Sequence, residues 1–102
     1  MTKEEAIQFV AREHQILECA FNTFYPHYDY RWDDEAEIII LDIFNNKGVV
    51  LGTGAIGYEG RTEEDIHRLR DRKVSMVMEL YPNWTDLRVL DDTGLISWES
   101  DA

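Results

Sequence analysis

Apolar residues recur at steps of three and four through the first quarter of the chain, the spacing of a helix with one apolar face. The stripe consists of Ile7, Val10, His14, Leu17, Phe21 and Phe24, with Ala6, Phe9, Ile16 and Ala20 beside it. Thr2 and Glu5 have the spacing of a capping box, so the helix should begin near residue 3 and end before Pro26. His14 lies within the stripe, and we expect it to be buried in the core or at its edge.

A strand pattern follows the first helix, because aromatic and charged residues alternate with a period of two. One face carries Tyr28, Tyr30 and Trp32, and the other carries Asp29 and Arg31. Acidic residues are concentrated immediately after this strand, and residues 33–36 predict a turn.

The most hydrophobic segment, residues 37–59, predicts a long β-hairpin. Its connection, Asn46-Lys47-Gly48, supplies residues that tolerate positive φ in a short turn. The second strand has no side chain at Gly52 and Gly54, two neighbouring positions on one face. We expect a helix to pack closely across the sheet at these glycines.

A second capping box, Thr62 with Asp65, predicts a helix that ends before Pro82. Its apolar face carries Ile66, Leu69, Val74, Val77 and Leu80, and its polar side carries Arg68, Arg70, Arg72 and Lys73. Residues 87–90 and 95–98 then predict a short second hairpin. The order α-β-β-β-α-β-β indicates an α+β fold in a single globular domain, residues 1–102. The simplest arrangement is an antiparallel sheet with two helices packed on one face.

The chain has 102 residues with 21 acidic and 10 basic side chains, for a net charge of −11. That excess repels phosphate backbones and anionic lipids, so we predict no direct nucleic-acid binding and no membrane association. Cys19 is the only cysteine, which excludes an intramolecular disulfide, and the first residues lack a signal-peptide pattern. We therefore expect a cytoplasmic protein.

The segment from Gly52 to Gly57 matches the letters of a dinucleotide-binding fingerprint. In that motif the helix opens on the glycines, whereas the helix predicted here opens at Thr62. The acidic residue of the motif is expected about 20 residues further on, and Asp91 lies 34 residues beyond Gly57. No cofactor is predicted.

The histidines and acidic residues of the first third of the chain could form a metal site or a catalytic site. His27, Asp29, Asp33 and Glu35 carry metal-binding atoms, but they lack any recognised ligand spacing and are more typical of a solvated acidic turn. His14 or His27 with a nearby carboxylate could form an acid–base pair, and a small enzyme is therefore retained as an alternative.

The acidic aromatic segment is also typical of a protein-binding surface, since hot spots favour Trp, Tyr and Arg within a polar rim. The residues predicted to bind are Tyr28, Asp29, Tyr30, Trp32, Asp33, Asp34, Glu35 and Glu37. The preferred hypothesis is an inhibitor, immunity protein or nucleic-acid mimic that binds a basic protein partner. In the alternative interpretation, the aromatic residues pack under the first helix.

Two further hypotheses follow from the order of the elements. A predicted edge strand at residues 95–98 would permit a homodimer, and the chain would then be a structural or regulatory domain. The order α-β-β-β-α also occurs in double-stranded-RNA-binding domains, which is a similarity of topology alone. The acidic first turn of the second helix, residues 63–65, disfavours RNA binding.

Overall fold

The computed structural model describes residues 1–17, 26–45, 48–85 and 96–98. Its elements, in chain order, are α1 (Lys3–Leu17), β1 (His27–Asp33), β2 (Ile38–Phe44), β3 (Val50–Ile56), α2 (Glu63–Leu80) and β4 (Ile96–Trp98). Both predicted capping boxes form. The Thr2 hydroxyl accepts from the Glu5 backbone N–H at 3.2 Å, and the Thr62 hydroxyl accepts from the Asp65 backbone N–H at 3.2 Å.

The strands form one four-stranded sheet in the order β1-β2-β3-β4. β1, β2 and β3 are antiparallel neighbours, as predicted. The prediction that the sheet is antiparallel throughout is wrong for the last strand, because Ile96–Trp98 pairs in parallel with Gly52–Gly54. α2 lies between β3 and β4 in the chain, and a crossover of this kind lets the following strand run parallel to its neighbour. The strand predicted at residues 87–90 lies outside the described residues.

One face of the sheet is covered by both helices, as predicted. The register aligns Tyr30 with Leu41 and Leu41 with Gly54, which places all three on this face. The Phe9 ring of α1 lies 5.1 Å from the Tyr30 ring. Ile66, Leu69 and Val77 of α2 join the same buried cluster. The opposite face, termed the open face, carries exposed or half-buried side chains: Asp29, Arg31, Ile40, Asp42, Thr53 and Ala55.

The buried side of α1 differs from the predicted stripe. Ala6 and Phe9 are 0% and 1% exposed, whereas Ile7 is 38% exposed. His14 was predicted to be buried and is exposed instead, with 56% of its side chain accessible. The large Phe9 ring packs against the buried Tyr30 and the ring of His67, which turns the helix toward Phe9. The predicted helical residues beyond Leu17 lie outside the described residues.

The connection between β2 and β3 is anchored by Asn45. Its backbone N–H donates to the Val49 carbonyl at 3.0 Å, and its side-chain amide donates to the Trp84 carbonyl at 3.0 Å. Gly48 adopts a φ of 78°, a conformation that glycine tolerates best. The register shifts between Ile43 and Phe44, so this hairpin contains a β-bulge. Asn45 therefore connects the hairpin to the turn that follows α2.

Candidate protein-binding surface

The connection between β1 and β2 displays acidic side chains on a well-defined turn. The Asp33 carboxylate accepts from the backbone N–H groups of Glu35 at 3.0 Å and Ala36 at 3.3 Å. This Asx-type arrangement leaves Asp34 and Glu35 exposed to solvent. Glu37 closes the turn with a φ of 53°, which is unusual for a residue other than glycine. No residue pattern around Glu37 predicted this conformation.

A carboxylate from the loop between β3 and α2 lies across a cleft from this turn. The cleft measures about 580 Å³, and both Glu37 of the turn and Glu59 of the loop line it. Lys3 of α1 pairs with Glu37 at this cleft. We call this region the acidic end, and we define it by Asp34, Glu35, Glu37 and Glu59, all of them exposed.

The basic side chains at the acidic end are already engaged. Lys3 Nζ lies 2.8 Å from Glu37 Oε1, and this hydrogen bond raises the pKa of Lys3. Arg61 donates to the Gly57 carbonyl at 2.8 Å. In contrast, no salt bridge among the described residues involves Asp34, Glu35 or Glu59. Since the carbonyl of Gly57 is neutral, Arg61 keeps its positive charge, but the four carboxylates of Asp34, Glu35, Glu37 and Glu59 outnumber Lys3 and Arg61. The net charge of this end is therefore negative.

The predicted binding residues divide into two groups. Tyr30 is 0% exposed and belongs to the core. Tyr28 and Trp32 are half-buried on the helix-covered face, where the Trp32 ring lies 5.7 Å from that of Tyr58. The aromatic side chains thus contribute to packing, as the alternative interpretation proposed. The acidic side chains of the same segment remain accessible, and their role in binding stays a prediction.

The charged residues in the middle of β1 are held by neighbouring elements. Asp29 Oδ1 lies 2.9 Å from His14 Nδ1 of α1. Arg31 Nε donates to Asp42 Oδ2 of β2 at 2.8 Å, and the Thr53 hydroxyl also donates to Asp42. His14 thus has a carboxylate neighbour, and a role of this pair in acid–base chemistry stays a prediction. The pair lies at the protein surface, where solvent keeps charge interactions weak.

A polar network that the sequence analysis missed connects α2 with β1 and α1. His67 Nδ1 lies 3.0 Å from Arg70 Nη1 and 3.3 Å from the Tyr30 hydroxyl. Arg70 Nη1 also donates to the Tyr28 hydroxyl at 2.9 Å, and its guanidinium carbon lies 4.4 Å from the centre of the Tyr28 ring. On the other side of the imidazole, Nε2 lies 3.6 Å from Glu13 Oε1.

This arrangement fixes the tautomer of neutral His67. Arginine can only donate hydrogen bonds, so Nδ1 must accept, and the proton of the neutral ring resides on Nε2 facing Glu13. Burial and the positive charge of Arg70 lower the pKa of His67. Burial raises the pKa of Tyr30, so that its hydroxyl stays protonated. The network stabilises the contact between the helices and β1.

The signal for this network in the sequence is weak. His67 and Arg70 are one helical turn apart, which places them on the same side of α2. Their partners Tyr30 and Glu13, however, lie on other elements, and no local pattern connects them. Arg68 also belongs to the predicted basic patch, and it pairs with Glu64 and Asp65 within α2.

Several kinds of site are absent from the part of the chain that the structure describes. No group of three or more His, Cys, Asp or Glu side chains comes together where it could hold a metal ion. No described helix is long and apolar enough to cross a lipid bilayer. The glycines of the fingerprint lie on and just after β3, which pairs with β2, and α2 begins only at Glu63.

Comparison with protein-family models, with curated proteins and with solved structures finds no match.

Proposed function

We propose that this protein binds a basic surface of another protein through its acidic end. The observation that carries the proposal is the exposure of Asp34, Glu35 and Glu59 without a salt bridge among the described residues. Uncompensated carboxylates that several elements bring to one region attract a cationic partner over several ångströms. Such a surface accelerates association and selects against acidic partners.

The class of partner follows from the same chemistry. A rigid display of carboxylates can occupy a site that normally receives phosphate groups, since both present negatively charged oxygens to Arg and Lys. An inhibitor, immunity protein or nucleic-acid mimic uses this principle, and we assign the chain to this type. The buried aromatics then support the turn rather than contact the partner.

Affinity capture from the native cell at low ionic strength tests the proposal. The test variant is Asp34→Asn with Glu35→Gln, which removes two charges and keeps the shape of both side chains. The control variant is Asp71→Asn with Glu79→Gln, which removes the same charge from exposed positions on α2 outside the acidic end. Asp71 also accepts from Arg70 at 3.0 Å, and asparagine keeps an acceptor oxygen for that contact. All three proteins should fold equally, as measured by circular dichroism and thermal unfolding.

The wild type and the control variant should both retain a basic protein that elutes as salt is raised, since exposed charge interactions are screened. The test variant should lose most of it. Equal retention by all three proteins would contradict the proposal, because binding would then depend on net charge or on another surface. The absence of any salt-sensitive basic protein in the wild-type capture would contradict it as well.

A further inference from the structure

A second cleft lies beside the acidic end, on α2. It measures about 280 Å³ and is lined by Arg61, Asp65, Arg68, Leu69 and Arg72, and we call it the arginine cleft. Arg61 also lines the cleft of the acidic end, so the two clefts are neighbours on the surface. Arg68 and Arg72 are exposed, whereas Leu69 is buried. A molecule that contacts the acidic end can therefore reach the arginine cleft as well.

Two of the three arginines are held in place by their neighbours. Arg61 Nη1 donates to the neutral carbonyl of Gly57 at 2.8 Å. Arg68 Nη2 lies 2.7 Å from Glu64 Oε1, and its Nη1 lies 3.5 Å from Asp65 Oδ1. Side chains that are already ordered lose less conformational entropy when a ligand binds.

The third arginine, Arg72, makes no salt bridge among the described residues. It lies one helical turn after Arg68, and like charges at this spacing repel each other. The three guanidinium groups outnumber Asp65, the one carboxylate that lines the cleft, and they still do so when Glu64 is counted. The cleft thus carries a local excess of positive charge in a chain of net charge −11.

The carboxylate of Asp65 leaves room for a second one near Arg72. Asp65 Oδ2 accepts from the Thr62 backbone N–H at 3.1 Å, and its hydrogen bonds with Thr62 lower the pKa of Asp65. Asp65 is thus bonded within the first turn of α2. Arg72 is seven residues further along the helix, a rise of about 10 Å. A carboxylate bound at Arg72 would therefore be separated from Asp65.

We propose that the arginine cleft binds a carboxylate side chain of the same partner whose basic residues bind the acidic end. This inference rests on the proposed function and specifies the partner as a basic surface with an aspartate or glutamate beside it. Guanidinium groups bind carboxylates through paired hydrogen bonds. Two neighbouring regions of opposite charge also select one orientation of the partner, because a rotated partner would bring like charges together.

The probes are two blocked hexapeptides. The first has two lysines, two glycines and two glutamates in that order, and the second has glutamines in place of the glutamates. An extended peptide of this length spans about 20 Å, and its glycines keep it flexible. Each peptide is titrated at low salt into the full chain and into two variants, and nuclear magnetic resonance reports the affinity and the residues that shift.

The test variant is Arg72→Gln, and the control is Lys73→Gln, which removes the same charge from the next position of α2, outside the arginine cleft. The glutamate peptide should shift Arg68 and Arg72 in the wild type, and Arg72→Gln should weaken its binding about threefold. Lys73→Gln should not weaken it. Neither variant should weaken the glutamine peptide, since both make the chain more negative.

Net charge alone predicts that Arg72→Gln and Lys73→Gln affect the glutamate peptide equally. That result would overturn the inference and leave the proposed function standing. The absence of binding by the glutamate peptide would also overturn it, while the capture experiment with Asp34→Asn and Glu35→Gln would still decide the proposed function separately. The captured partner adds a further check, because it should elute from Arg72→Gln at lower salt than from Lys73→Gln.

Discussion

Replacement of Leu41 by alanine, compared with the same change at Ile40, tests whether the sheet has one covered and one open face. Leu41 is 0% exposed in β2, with Tyr30 and Gly54 as its neighbours in register. Gly54 has no side chain that could move into the vacated space. Leu→Ala changes at buried sites cost about 3–5 kcal/mol of unfolding free energy. Ile40 is half-buried on the open face, and Ile40→Ala should cost about 1–2 kcal/mol.

Urea unfolding, followed by tryptophan fluorescence and circular dichroism, measures both changes. A domain of this size has a total stability of about 5–15 kcal/mol, so Leu41→Ala removes a large part of it. With an m-value of about 1.5 kcal/mol/M, the unfolding midpoint should fall by about 2–3 M for Leu41→Ala and by about 1 M for Ile40→Ala.

Two results would refute this reasoning. A loss below about 1 kcal/mol for Leu41→Ala would mean that its side chain is not enclosed by the core. Equal losses for the two variants would mean that the open face is also covered. In that case a second copy of the chain would be the first explanation to test, and the unfolding midpoint would then increase with protein concentration.

Three further predictions concern the polar network and the helix cap. Because burial lowers the pKa of His67 in the folded state, the unfolded chain binds more protons below its ordinary value of about 6.5. The contribution of His67 to stability should therefore be complete above a pH of about 6.5 and should fall as the pH drops toward the folded-state pKa. Melting temperatures measured against pH should show this fall for the wild type and should not show it for His67→Gln. Arg70→Met removes charge-assisted donors to Tyr28 and His67, and it should lower the unfolding free energy by about 1.5–3 kcal/mol in urea titrations. A loss under about 0.5 kcal/mol would show that these bonds exchange freely with water. Thr62→Ala removes the cap of α2 and should cost about 1 kcal/mol, whereas Thr62→Ser should cost much less.

Local patterns predicted most of the fold. The capping box of α2 locates its first turn because a side chain and a backbone group satisfy each other within four residues. Alternation likewise located β1, because Tyr30 and Asp29 need opposite environments. Caps and alternating strands depend on residues that are close together in the chain, so they can be predicted from the sequence. The direction of β4 depends instead on where the chain returns after α2, which no local pattern encodes.

The errors concern side chains whose position is set by tertiary contacts. The predicted apolar stripe of α1 included Ile7, Val10 and His14. Val10 is buried, whereas Ile7 and His14 are exposed because Phe9 packs against Tyr30 and sets the rotation of the helix. His67 was missed because its partners are contributed by β1 and α1 rather than by its own helix. For the candidate surface, the acidic turn was found from composition. That Glu59 lies across a cleft from this turn depends on how the fold brings two separate connections together, which no local pattern encodes.

The central claim is that the acidic end is the surface that contacts a basic partner. Amide hydrogen exchange of the chain, alone and in complex with the protein retained at low ionic strength, tests this claim most directly. Binding should slow exchange in residues 33–37 and 57–61, with little change in the C-terminal half of α2. Slower exchange confined to α2 beyond residue 70, or to the strands of the open face, with residues 33–37 unchanged, would contradict it.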